Sequence, residues 1–103
     1  MHAQSKNSYG TAKVRELIAT AKSYENTQSD SATYYFEKAR ALALKNNDEK
    51  GLSNYFSEYI RFLNYKAEFE EALSEARQHI DVGRKSGDSN AVMLAYNEVA
   101  NEE

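Results

Sequence analysis

SDSATYYFEKARALALKNND, residues 29–48, places Ala32, Tyr35, Phe36, Ala39, Leu42 and Ala43 at the three- and four-residue spacing of a helix apolar on one side. EFEEALSEARQHIDVGRKSGD, residues 68–88, repeats the pattern forty positions later. Ala32 corresponds to Ala72, Phe36 to Ala76, and Asn47-Asp48 to Gly87-Asp88. The same step relates Ala12, Leu52 and Val92, then Ala19, Tyr59 and Val99, and also Ser29 and Phe69. A helix pair that recurs within 20–50 residues is the signature of a helical solenoid, because one pair cannot bury its own apolar stripe.

Five helices follow from the spacing. The first spans about Thr11 to Glu25, with Val14, Leu17, Ile18 and Ala21 on one face. The second spans about Ser31 to Lys45, capped by Ser29 or Asp30. The third spans about Glu49 to Tyr65 and is capped by Asn47 or Asp48. Its Leu52, Tyr55, Phe56, Tyr59, Ile60, Phe62 and Leu63 cover more than one stripe, as a helix held between neighbours requires. The fourth, about Glu68 to Lys85, uses Phe69, Ala72, Leu73, Ala76 and Ile80. The fifth carries Val92, Ala95, Tyr96 and Val99. Residues 1–10 read as a poorly ordered leader, 11–50 and 51–90 as two repeats, and 91–103 as the first helix of a third or a cap. Because that last helix keeps the pattern, the chain reads as part of a longer array.

Composition narrows the function classes. The 103 residues contain no cysteine and no proline, which excludes disulfides and thiolate chemistry and favours unbroken helices. A net charge of -3 gives no attraction for nucleic acid, and no apolar run is long enough to span a bilayer. His2-Ala3-Gln4-Ser5 is similar to the end of a secretory leader. That points to a periplasmic or otherwise extracytoplasmic protein, with a cytoplasmic one as the alternative.

No catalytic constellation is visible, so no enzyme and no cofactor or metal is expected. His79 reads as a half-buried packing residue, since no second metal ligand accompanies it. Glu70-Glu71 and Glu102-Glu103 point about 100° apart on a helix and cannot converge on a substrate. Tyr35 and Phe36 of Tyr34-Tyr35-Phe36 read as core, not as a stacking platform for bases.

The small-residue and aromatic positions resemble the tetratricopeptide repeat. In the first unit these are Ala32, Phe36 and Ala39; in the second, Phe56, Tyr59, Leu63, Phe69, Ala72 and Ala76; in the third, Tyr96, Val99 and Ala100. A unit of forty residues leaves a HEAT-type helix pair open as well. The resemblance implies an all-α right-handed superhelix of two and a half repeats and a non-catalytic protein-interaction module. Long units ending in "ND" or "GD" are similar to those ahead of the membrane helix in bacterial sensor histidine kinases, which implies the input or scaffold region of a signalling protein. The alternative is a stand-alone structural adaptor.

In that family the first helix of each unit lines a concave groove. The resemblance places on it Val14, Leu17, Ala21 and Tyr24, then Asn54, Ser57, Arg61, Asn64 and Tyr65, then Leu94, Asn97 and Asn101. The implied partner is a protein or peptide; a homodimer through the exposed C-terminal helix is a further expectation. Co-chaperone members clamp a C-terminal carboxylate, but the matching positions here are Leu17, Ala21, Glu58, Leu94 and Glu98, which disfavours that ligand.

Overall fold

A computed structural model describes residues 10–86. The expected fifth helix, with Asn97 and Asn101, lies outside them, as do the N-terminal leader and the Gly87-Asp88 turn. The described chain is all helical: α1 (Ala12–Ser23), α2 (Ser29–Lys45), α3 (Glu49–Tyr65) and α4 (Phe69–Ser86). It divides within α3 into two compact units, one ending at Tyr55 and the other beginning at Phe56.

In the first unit α1 packs on α2. Val14, Ile18 and Ala21 of α1 and Ala32, Phe36, Ala39 and Ala43 of α2 are all buried. Leu17, Tyr35 and Leu42 are only half-buried. Tyr24, just past the end of α1, stacks on Tyr35 with ring centroids 5.7 Å apart and planes 6° apart. The expected Ser29 or Asp30 cap is not used. Helix α2 opens at Ser29, because the Gln28 carbonyl already accepts from the Ala32 N–H at 3.0 Å. The Gln28 side chain accepts instead from Ser31 Oγ at 3.2 Å.

Asp48 caps α3 as the sequence leads one to expect, and does more. Its Oδ1 accepts the Gly51 N–H at 2.9 Å, and its Oδ2 accepts the Thr11 N–H at 2.8 Å. One carboxylate thus satisfies a free donor of the first turn of α3 and holds the chain where it enters α1. Gly10 and Gly51 cross here with no room between them. A Cβ on Gly10 would collide with the Gly51 backbone, and Gly10 has φ +100°. Only glycine accepts both conditions without strain.

Helices α2 and α3 end in the same turn. Asp48 N–H donates to the Ala43 carbonyl and Glu68 N–H to the Leu63 carbonyl, both at 2.8 Å. The residue before each is left-handed: Asn47 at φ 53° and Ala67 at φ 62°. These are Schellman closures, in which a left-handed residue lets the chain satisfy the last helical carbonyls.

In the second unit, Phe56 stacks on His79 at 5.0 Å and 15°, and the Tyr59 hydroxyl donates to Glu71 Oε2 at 3.2 Å. All seven apolar residues expected in the core from α3 are buried. Phe69, also expected in the core, is 55% exposed, because the inward face of α4 begins one turn later at Ala72.

The forty-residue step holds for the second helices. Buried positions 32, 36, 39 and 43 of α2 fall on buried positions 72, 76, 79 and 83 of α4, and half-buried 33, 35 and 42 on half-buried 73, 75 and 82. It fails for the first helices. Ala12 and Ala19 are exposed, whereas Leu52 and Tyr59 are buried. Advancing one residue sets the buried positions of the first segment on buried ones, Val14 on Tyr55, Ile18 on Tyr59, Ala21 on Phe62 and Gly10 on Gly51, while half-buried Tyr24 falls on exposed Tyr65 and α3 buries Phe56, Ile60 and Leu63 besides. The step from Tyr65 to Ala72 is therefore one residue shorter than the step from Tyr24 to Ala32.

Candidate interaction surface

The polar positions expected on α3 fall between its buried residues, as amphipathic spacing requires. In the second unit Ser57 and Asn64 are half-buried, while Arg61 and Tyr65 are exposed. Ser57, Asn64 and Tyr65 each lie three or four residues from Arg61 and so flank it on the helix. Asn54, half-buried, precedes them on α3 in the first unit. Arg61 is not an unopposed cation: its Nε lies 3.0 Å from Glu58 Oε1, one turn earlier. Asn64 Oδ1 is closed off from solvent and accepts no hydrogen bond. Tyr65 presents most of its ring, 66% exposed.

The first-unit set needs correction. Val14 and Ala21 are fully buried and cannot line an open face. The one-residue advance identifies the positions that match Asn54, Ser57, Arg61 and Asn64 as Lys13, Glu16, Thr20 and Ser23. Lys13 Nζ lies 3.7 Å from Glu16 Oε1, Thr20 Oγ1 donates to the Glu16 carbonyl at 2.9 Å, and Ser23 Oγ donates to the Thr20 carbonyl at 2.6 Å. Sequence reading missed this flank. The signal that finds it is the Gly10–Gly51 and Tyr24–Tyr65 pairing at forty-one residues.

His79 is fully buried, not half-buried, with its ring against Phe56. Phe36 is buried, Tyr35 is half-buried and Tyr34 is 55% exposed. Among the described residues no group of histidine, aspartate or glutamate side chains could hold a metal, and no helix is long and apolar enough to cross a membrane. A hollow beside Asp48, lined by Ala43, Leu44, Asn47, Glu49 and Leu52, measures about 110 Å³. That is well below the roughly 300 Å³ of a small-molecule site. An open recess of about 530 Å³ runs past Ala67, Glu68, Phe69, Glu70 and Glu71. Lys66 Nζ lies 3.2 Å from Glu68 and 5.0 Å from the centre of the Phe62 ring.

No protein-family description, curated protein or solved structure matches the chain.

Proposed function

We propose that this chain is a tetratricopeptide-like, non-catalytic module that binds a protein or peptide partner along the polar flank of α3. The observation that supports the reading is the recurrence of burial between α2 and α4. Second helices that hide the same positions are what stacked helix pairs show, and such stacks serve as partner-binding solenoids. The flank holds hydrogen-bonding side chains and an exposed tyrosine, the residue types that recognise an extended backbone. Its place in a larger assembly is the input or scaffold region of a bacterial signalling protein.

Selection of a linear peptide library on the immobilised full chain tests this. Enriched peptides are expected to lose at least about tenfold in affinity on Ser57→Arg, which crowds the flank, and to keep it on Lys45→Ala. Peptides that bind the Ser57→Arg protein as tightly as the parent would remove the surface from consideration.

A further inference from the structure

Tyr24, Tyr34 and Tyr35 form one cluster in the first unit. The Tyr24 and Tyr35 rings lie parallel to within 6°, with centroids 5.7 Å apart, and Tyr34 meets Tyr35 edge-on at 5.1 Å. Tyr24 and Tyr35 are half-buried and Tyr34 is exposed, so the cluster is open to small molecules in water. The chain has no cysteine and no tryptophan. Those two and tyrosine are the side chains that give up a single electron most readily, so a one-electron oxidant meets tyrosine here. Tyr55 and Tyr59 are shielded by burial. Within the cluster the rings are not equivalent. Lys38 Nζ stands 5.3 Å from the centre of the Tyr34 ring and donates to its hydroxyl at 3.4 Å. A cation there opposes a further positive charge on Tyr34. Tyr24 and Tyr35 share the loss of an electron between two faces.

We propose that Tyr24 and Tyr35 are a modification site, where one-electron oxidation joins the two rings as a bityrosyl bridge between the end of α1 and α2. The inference is independent of the partner-binding reading. Each phenol gives one electron to the oxidant and its hydroxyl proton to water. The two phenoxyl radicals form one carbon–carbon bond between their Cε positions, beside the hydroxyl-bearing carbons. The hydrogen on each joined carbon then moves to oxygen, which restores both phenols. Two electrons and two protons leave in all. The electrons go to an oxidant of the peroxidase or metal-complex class, regenerated by a peroxide that ends as water or a persulfate that ends as sulfate. Tyr24 follows the last residue of α1, so its ring can close on Tyr35 without unwinding that helix. Contact favours coupling within one molecule. Groups joined even by a flexible segment present each other at about millimolar concentration, far above a second copy at micromolar concentration, and a held contact adds orientation. The bridge closes the chain between residues 24 and 35, which restricts the unfolded state and leaves the hairpin in place.

The test illuminates the full chain at low micromolar concentration with tris(bipyridyl)ruthenium(II) and persulfate, then cleaves after glutamate. Cleavage at Glu16, Glu25 and Glu37 puts Tyr24 on peptide 17–25 and both Tyr34 and Tyr35 on peptide 26–37. The expected product is these two peptides joined, two hydrogens lighter than their sum, with the blue fluorescence of a bityrosyl group. Tyr24→Phe and Tyr35→Phe should each lower its yield at least about tenfold, and Tyr34→Phe should leave it within about twofold. Far-ultraviolet dichroism of each variant checks that the fold is kept. Concentrated urea removes the contact, so coupling should spread to other tyrosines and the Tyr24–Tyr35 share should fall at least about threefold. No joined peptide, a two-hydrogen loss confined to peptide 26–37, bridges only between molecules, or an undiminished Tyr24–Tyr35 share in urea would each overturn the proposal.

Discussion

At the scale of single residues, Asp48 concentrates the most consequence in the fewest atoms. Its two oxygens serve different segments, so two substitutions separate their roles. Asp48→Ala removes both acceptors and is expected to cost about 2 kcal/mol, read as a lower urea midpoint with unchanged slope. Asp48→Asn keeps one acceptor for the cap and turns an amide toward Thr11, so about half of that loss should remain. Gly51→Ala sets two effects against each other. Alanine gains about 1 kcal/mol of helix propensity, but its Cβ would overlap the Asp48 carboxylate and come within 3.0 Å of Val14 Cγ1. The close approach wins, and the variant should melt below the parent. Ala67 gives the opposite sign. A left-handed alanine carries a penalty of roughly 1–2 kcal/mol that glycine lacks, so Ala67→Gly should raise the melting temperature. Asn47→Gly should do so less, because asparagine tolerates that region.

Between elements, α2 and α4 solve one packing problem in two ways. Position 36 holds a phenylalanine and position 39 an alanine; position 76 holds an alanine and position 79 a histidine. The ring moves one turn along the helix and the small residue takes its former place, so volume is nearly conserved while shape is not. Ala76→Phe alone should overpack the face of Phe56 and His79 and lower the urea midpoint by 1–3 kcal/mol in equivalent stability. Combining it with His79→Ala should recover part of the loss. A double variant no better than the sum of its parts would mean that the two positions do not share a space. On α3, Asn64 closes an acceptor away from water without a partner, at a cost of about 1–3 kcal/mol. Asn64→Leu is therefore expected to melt no lower than the parent, although the residue is polar in origin.

For the whole molecule, the existence and type of the four described helices were readable from apolar spacing, and α3 was readable to its end residues. Its caps are local chemistry: an aspartate before the first turn and a left-handed residue after the last. The core of α3 was equally plain, since seven large apolar residues in seventeen positions leave few ways to face them. What spacing could not supply was the phase between the two first helices. A single step of forty residues fits the second helices, and nothing within α1 alone says that it belongs one residue further on. That offset put Val14 and Ala21 on an open face when packing hides them. Phe69 was misplaced for a related reason: periodicity counts a residue in the first turn as though a neighbour lay beneath it. The Asp48 bond to Thr11 joins segments thirty-seven residues apart, a distance that no local pattern spans. Helix content and aromatic environment should be lost together on heating, as in most domains of this length. Coincident far- and near-ultraviolet dichroism melts check this.

The one-residue difference between the steps Tyr24–Ala32 and Tyr65–Ala72 also bears on how such a chain can change over generations. An amino acid lost or gained inside a helix swings everything beyond it by about 100° and brings its oily side into water. The same event in a connection leaves each rod facing as before. Insertions and deletions that selection tolerates should therefore collect at the corners, and ancestry in lengthened or shortened copies is best traced by aligning each rod separately.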